Sequence, residues 1–403
     1  MHKLHGMLMS PFSMKLRAYL RYRQIPFQWC NSIKANEIAQ TKVETYMVPV
    51  IEYPDGSFEN DSTPIINKLE ESIPTRRTEP ENEADAFLAF LIEDFADEWL
   101  LWPFFLLRWH TQADRTFNSE WINYEALHGQ GTGDQFSQMS AFWAERQTRL
   151  VKLTCGSPEN DTVLKDSLAD FLAIMEDAVK SGLFFFGSRP SRAEIAIFGI
   201  LSQLVQDFTS SSLMRDTAPF TMRWVGMIDD LSGIDGDWEP LSSDTDKLMS
   251  SSVRKILDQS AKYHLPLLLA NDQALEKGEK KMAFDINGHR FERAASPRHL
   301  GCLPALKQRY AALSEGSKAA LDPVLVETGC LEFLKSCFSE QTDEKVHWRS
   351  RGTPGDCLSC RNFPAFNPQR GWAASRVRGR ASGPKWKAGA DHHDQPRNAQ
   401  CSG

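Results

Sequence analysis

Ser10 and Ser13 stand at the start of a segment, Met14 to Arg23, whose residues favour a helix. A hydroxyl in that place can cap the helix. It can also donate to an anion held over the unpaired N–H groups of the first turn, where the helix dipole favours negative charge. Asp61 and Ser62 stand in the same way ahead of a second helical segment, with Pro64 tolerated in its first turn. Between the two lies Val48-Pro49-Val50, a proline at the head of an apolar run. Its missing N–H confines it to a strand start or an edge, and a cis bond is open to it. Cys357 and Cys360 form a C-x-x-C. Zinc needs a second pair at matching spacing, none is present, and no metal is expected.

These residues need elements to hold them. Leu4 to Leu8 reads as a short strand, broken by Ser10-Pro11. After the Met14 helix, Phe27 to Cys30 reads as a second strand. Met47 to Tyr53, the turn Pro54-Asp55-Gly56-Ser57 and the run from Phe58 read as a hairpin, and a helix comes after Asp61-Ser62. The first 72 residues therefore predict βαβ, a hairpin and a helix. Beyond the charged linker Pro74 to Pro80 the pattern becomes helical. Glu83 to Trp109 carries Phe87, Phe90, Leu91, Phe95, Trp99 and Trp102, with Pro103 as a kink point. Further helices are expected over Phe142–Leu153, Val163–Lys180, Ser191–Phe208 and Pro219–Leu231. Ser191 and Glu194 make a capping box, and Ile195 to Leu201 is apolar nearly all round, the mark of a central helix. Residues 247–340 predict more helices, Ser252–Tyr263, Cys302–Leu313 and Ser317–Phe338, around a β-like stretch, Met282 to Phe291.

The chain has 403 residues, 41% hydrophobic and 25% charged, which excludes disorder from end to end. No apolar run reaches the length of a membrane span, and no secretory leader is legible, so a cytoplasmic protein is expected. Eight cysteines are too sparse for a disulfide scaffold. The net charge of −7 conceals an asymmetry: residues 345–403 hold 11 Lys and Arg against 3 Asp, about +8, so the rest carries about −15. That last segment, rich in Gly, Pro, Arg and Ser, is expected to be a disordered basic tail. Its tryptophans, Trp372 and Trp386, do not suffice to make nucleic acid an expected partner.

Taken in order, the motifs resemble the cytosolic-type glutathione S-transferases over roughly residues 1–230. Ser10-Pro11-Phe12-Ser13-Met14-Lys15-Leu16-Arg17 resembles the family's active-site turn and helix. Val48-Pro49-Val50 stands where the family has a cis-proline, and Asp61-Ser62 where it usually has Glu or Gln followed by Ser. Phe185 to Glu194 is similar to its helical-domain capping element. The resemblance implies an α+β fold: a thioredoxin-like glutathione-binding domain (1–75), an all-helical transferase domain (80–240), an α-rich extension (241–343) and the tail (344–403). The extension itself resembles that of some longer bacterial transferase-like proteins.

The same resemblance implies roles. Ser10, with Ser13 second to it, stabilises the glutathione thiolate. Val48 pairs its backbone with the cysteinyl part, beside Pro49. Asp61 faces the γ-glutamyl ammonium, and Ser62 its carboxylate. Phe12 and Lys34 complete the binding set, Lys34 for the glycine carboxylate. Phe95, Trp99, Trp102 and Trp109 are candidates to line the pocket of a hydrophobic electrophile. The implied function is transfer of the glutathione sulfur to that electrophile, as in detoxification, with glutathione as co-substrate, no membrane or nucleic-acid partner, and a homodimer left open. Two alternatives stand beside it: a non-catalytic interaction protein on the transferase fold, and an isomerase or dehalogenase using the same site.

Overall fold

The computed structural model describes residues 1–129 and 131–335. A first layer is built from β1 (His2–His5), α1 (Pro11–Tyr22), β2 (Phe27–Cys30), α2 (Ile33–Gln40), β3 (Val50–Glu52), β4 (Phe58–Asn60) and α3 (Ser62–Ser72). The sheet order is β2-β1-β3-β4, with β1 parallel to β2 and the other neighbours antiparallel. This first domain is thioredoxin-like. Leu4, Leu16, Tyr19, Leu20, Ile51 and Ile66 form its apolar core.

The remainder of the described chain is predominantly helical. It runs through α4 (Glu83–Phe95), α5 (Leu101–Arg108), α6 (Gln112–Ala126), α7 (Asp134–Thr154), α8 (Asp161–Ser181), α9 (Arg192–Leu204), α10 (Phe208–Thr217) and α11 (Pro219–Ile228). Then come α12 (Thr245–Ser250), α13 (Ser252–Gln259), α14 (Leu265–Glu276), the hairpin β5 (Lys281–Ile286) and β6 (His289–Ala294), α15 (Cys302–Ala312), α16 (Glu315–Thr328) and α17 (Cys330–Lys335). The described residues belong to one compact unit. The tail expected over 344–403 lies outside the described residues.

α9 is buried along its whole length, and its capping box forms as the sequence predicts, with Glu194 accepting from the Ser191 backbone. It lies against α1 at close range, because Gly199 has no side chain. A Cβ there would stand 2.7 Å from the Pro11 carbonyl oxygen and 3.0 Å from Lys15 Cβ. α4 and α5 are joined by a π-helical turn over Ala96–Leu100, just ahead of Pro103. A second π turn, Ser260–His264, precedes Pro266. A proline ring would collide with the carbonyl four residues back, and the wider turn relieves that collision. The kink point at Pro103 is thus a π turn.

Among the helices that the sequence pattern does not predict are α2 and α6. α2 buries only Ala39, so its sequence carries almost no apolar period. α6 is inverted: its buried face holds Asp114, Asn118, Ser119, Asn123 and Glu125 beside Ile122. Each of these polar residues makes at least one hydrogen bond, for example Thr209 donating to Asp114 and Asn123 donating to Ser140, which is how most of a polar face can be buried. Asn118 Oδ1, Asn123 Oδ1 and Glu125 Oε2 have no partner among the described residues. The predicted helix from Ser317 is two, broken where Gly329 takes a left-handed φ of 81°.

Candidate active site

Sheet register brings the predicted residues to one end of the first domain. His5, Cys30, Val50 and Asn60 stand in one row across the four strands. The chain leaves that row into the loop before Ser10, into α2 with Lys34, into Val48-Pro49 and into Asp61-Ser62. The Val48–Pro49 bond is cis, and Pro49 is buried just ahead of β3.

Ser10 caps α1. Its Oγ accepts from the Ser13 N–H at 3.2 Å, which leaves its own O–H proton available to donate. Ser13 is fully buried, and its Oγ accepts from the Met7 N–H at 3.4 Å. It underpins the loop, and of the two serines only Ser10 is partly exposed. Phe12 is half-buried in the first turn of α1, and Lys34 is exposed in that of α2. The loop itself is held from outside. Arg108 donates to the Met9 carbonyl at 2.7 Å, Gln203 to the Leu8 carbonyl at 2.9 Å, and Glu125 accepts from the Leu8 N–H at 2.7 Å.

Asp61 is the N-cap of α3, with a positive φ of 77°, and accepts from the Thr63 N–H. Although the residue is exposed, its carboxyl is crowded by neighbouring protein. Partial loss of water raises its pKa, Glu98 adds to the rise, and Lys15, the Thr63 amide and Arg298 oppose it. Ser62 is 1% exposed, and its Oγ has no hydrogen-bond partner among the described residues. A buried hydroxyl at a helix N-terminus costs free energy unless something pairs with it. A carboxylate fits there, since it accepts from the hydroxyl and meets the helix dipole.

Behind this corner lies a charged network whose acids lie outside the sequence motifs. Lys15 is fully buried between Glu93 (2.6 Å) and Asp97 (2.5 Å), and it donates to Thr63 Oγ1 at 3.1 Å. Arg192 pairs with Glu93 from the other side. Two carboxylates share this site, and their pKa values move apart. Glu93, held by Arg192 and Lys15, is lowered despite burial. Asp97 is pushed up to about 7 by burial, with Glu93 and Glu98 adding and Lys15 opposing. The next residues along, Asp94 and Glu98, face the opposite way: His264 Nε2 is 2.8 Å from Asp94 and His299 Nδ1 is 2.6 Å from Glu98. The signal was available in the sequence. Adjacent acid pairs, Glu93-Asp94 and Asp97-Glu98, sit one helical turn apart in an otherwise apolar helix.

Ser260, His264 and Asp94 stand in series, with Ser260 Oγ 3.0 Å from His264 Nδ1. With Ser260 and His264 1% and 0% exposed, that series ties α14 to α4 and meets no substrate.

The aromatic candidates divide. Phe95 and Trp99 are core residues, Trp99 stacked on Tyr263 at 5.0 Å. Trp102 is covered by His299 and by Arg293. Trp109 alone packs against the site loop, in a cluster with Met9 and Ile122 flanked by Met7 and Trp121. The indole N–H groups of Trp109 and Trp121 are buried and lack partners among the described residues. A cavity of about 490 Å³ lies between α8 and the β5–β6 hairpin, lined by Asp166, Asp170, Lys262, Tyr263 and His289 among others, away from the strand-end row. Among the described residues there is no group of three or more His, Cys, Asp and Glu fit to hold a metal ion, and no helix long and apolar enough to cross a membrane.

Residues 4–77 match the family described as glutathione S-transferase, N-terminal domain. Among solved structures, a β-etherase, LigF, from Sphingobium sp. strain SYK-6 is 18% identical, with 57% of this chain and 94% of that one covered and a TM-score of 0.42. A glutathione S-transferase from Rhodospirillum rubrum F11 is 16% identical over 57% of this chain and 87% of that one, with a TM-score of 0.36. A glutathione transferase family member from Pseudomonas fluorescens Pf-5, with bound glutathione, is 15% identical over 57% and 94%, with a TM-score of 0.33. No protein with a curated description matches the chain.

Proposed function

We propose, from a chain whose residues 4–77 match the glutathione S-transferase N-terminal domain, that this protein binds glutathione and transfers its sulfur to a hydrophobic electrophile. The observation that carries the reading is the unpartnered, buried Ser62 hydroxyl at the N-terminus of α3, beside the accessible Asp61 carboxylate. Together they suit an α-amino acid: the carboxylate of a γ-glutamyl group on Ser62 and the helix dipole, its ammonium on Asp61. The strand-end row puts the Ser10 hydroxyl at the same end of the sheet.

A free thiol has a pKa of about 8.5 and reacts as its thiolate. The Ser10 O–H donates to that sulfur, and the α1 dipole favours its charge. The thiol proton passes to solvent. The sulfur lone pair then forms a C–S bond, while a leaving group departs with its electron pair or a conjugated acceptor takes up the electrons. Met7, Met9, Trp109 and Trp121 form the apolar flank that supports a hydrophobic co-substrate. The described cysteines are free thiols, which suits a cytoplasmic setting, and the role proposed for the transfer is detoxification.

Calorimetry with glutathione tests the reading. Wild type is expected to bind in the micromolar to millimolar range, and the Asp61→Ala, Ser62→Ala double variant to lose that binding. Ser10→Ala should keep binding and lose turnover about a hundredfold, the effect of removing one donor to a developing anion. Absence of wild-type binding at physiological glutathione would leave a transferase-fold interaction protein.

A further inference from the structure

The extension reaches the α3 corner. Thr63, two residues after Asp61, has its Oγ1 3.2 Å from Asp97 Oδ2. The next residue of the π turn, Glu98, holds His299 at 2.6 Å. One helical turn therefore pins two segments side by side: the first turn of α3, and the short turn Pro297–His299 that comes after β6. Arg298 lies between Pro297 and His299, so it is fixed at this junction. Its backbone N–H donates to Ser296 Oγ at 3.3 Å, and Ser296 is tied by its own N–H to Asn271 Oδ1 at 2.7 Å.

Arg298 is exposed, and its guanidinium makes no ion pair among the described residues. Its charge bears on both neighbouring carboxyls: it opposes the rise that burial causes at Asp61 and adds to the lowering at Glu98, where His299 acts more strongly. Its neighbour Arg293 has the opposite fate, buried over Trp102 with its Nη1 donating to the Thr154 carbonyl at 2.9 Å. A fixed backbone carrying an unpaired guanidinium is thus pinned by the same helical turn as the first turn of α3, where Ser62 holds a buried hydroxyl without an acceptor.

We propose that Arg298, supplied by the extension, is a binding residue for the α-carboxylate of the γ-glutamyl group, closing over the carboxylate that Ser62 and the α3 N-terminus receive from below. The assignment rests on the glutathione reading above. A guanidinium suits the role because its planar fork matches a carboxylate bidentately, which an ammonium does not. The extension then has a function at the site: it makes the pocket selective for ligands with a free α-amino-acid end.

The test compares two ligands by calorimetry on the full chain: glutathione, and 4-aminobutyryl-cysteinyl-glycine, which lacks only the γ-glutamyl α-carboxylate. Arg298→Ala is expected to bind glutathione about tenfold more weakly, the scale of one charge-assisted hydrogen-bond pair. It should bind the analogue as wild type does. Arg298→Lys should recover part of the glutathione loss. Because Arg298 is exposed, unfolding is not expected, and an unchanged melting curve checks this. Equal losses for both ligands, or no loss for glutathione, overturn the role of Arg298 while the Asp61 and Ser62 result stands. Wild type that fails to bind glutathione overturns both.

Discussion

Asp97 shows what a single buried carboxyl does to the chain. An aspartate in the unfolded state titrates near 3.8, whereas here the group is pushed up to about 7 by burial, with Glu93 and Glu98 adding and Lys15 opposing. Between those two pH values the native state holds a proton that the unfolded chain has released. The stability this confers is full below about pH 4 and is lost as pH rises through about 7. Wild type should therefore melt at falling temperature from about pH 5 to pH 8, and Asp97→Asn should flatten that fall. The difference between the two curves is the readout, since Asp272 is also pushed up, to about 6. Parallel curves would mean that Asp97 takes up no proton in this window. The network around Asp97 was half visible in the sequence, in the adjacent acid pairs. Which acid faces Lys15 and which faces a histidine depends on the π turn, and that comes from Pro103 in three dimensions.

At the scale of elements, the β1–α1 loop owes its shape to helices distant in sequence. Arg108 at the end of α5 is 4% exposed and donates to both oxygens of Asp207, at 2.6 and 3.0 Å, as well as to Met9. Removing it leaves the Asp207 charge buried without a partner, which costs about 3–5 kcal/mol. Arg108→Ala should show that loss in urea unfolding. Adding Asp207→Ala should restore part of it, because the orphaned charge is then gone. Glutathione affinity should stay low in both variants, since the Met9 carbonyl is no longer held. A loss under about 1 kcal/mol, typical of an exposed pair, would show that the pair is not the anchor. This scale also explains which elements were legible. Strands, hairpin turn, capping box and the α1, α8, α9 and α11 helices announce themselves through apolar period and turn residues. α6 does not, because its inward face is polar and bonds to α7, α10 and the loop. The same logic sorts the site residues. Ser10, Val48-Pro49 and Asp61-Ser62 stood out because strand ends and caps use few residue types. Ser13 in the interior, and Phe95 and Trp99 in the core, were indistinguishable by type from residues facing a ligand.

At the scale of the whole molecule, the extension and the helices before it share one apolar core. α4 and the π turn that follows it carry a stripe, Glu83, Phe87, Phe90, Asp94 and Glu98, and the extension meets each position. Ser314 and Ser317 donate to Glu83 at 2.6 and 2.7 Å, Tyr310 meets Phe87 edge-on, Arg309 lies 3.8 Å over Phe90, and His264 and His299 take the two acids. Behind the stripe, Trp99 is sealed between Tyr263 and Phe291, and Phe95 beside His264. A chain ending at residue 240 would return this surface to water. Each large side chain so exposed forfeits about 1.5–3 kcal/mol of burial, and a handful of them equals the whole stability of an ordinary domain. The first layer should therefore not survive loss of the extension, even though the family match ends at residue 77. The 1–240 chain should express insolubly, or, if solubilised, bind a hydrophobic dye and unfold without a cooperative transition. A cooperatively folded 1–240 chain with wild-type glutathione affinity would instead show that the extension is an accessory placed on a self-sufficient transferase fold, and would remove Arg298 from the site as well.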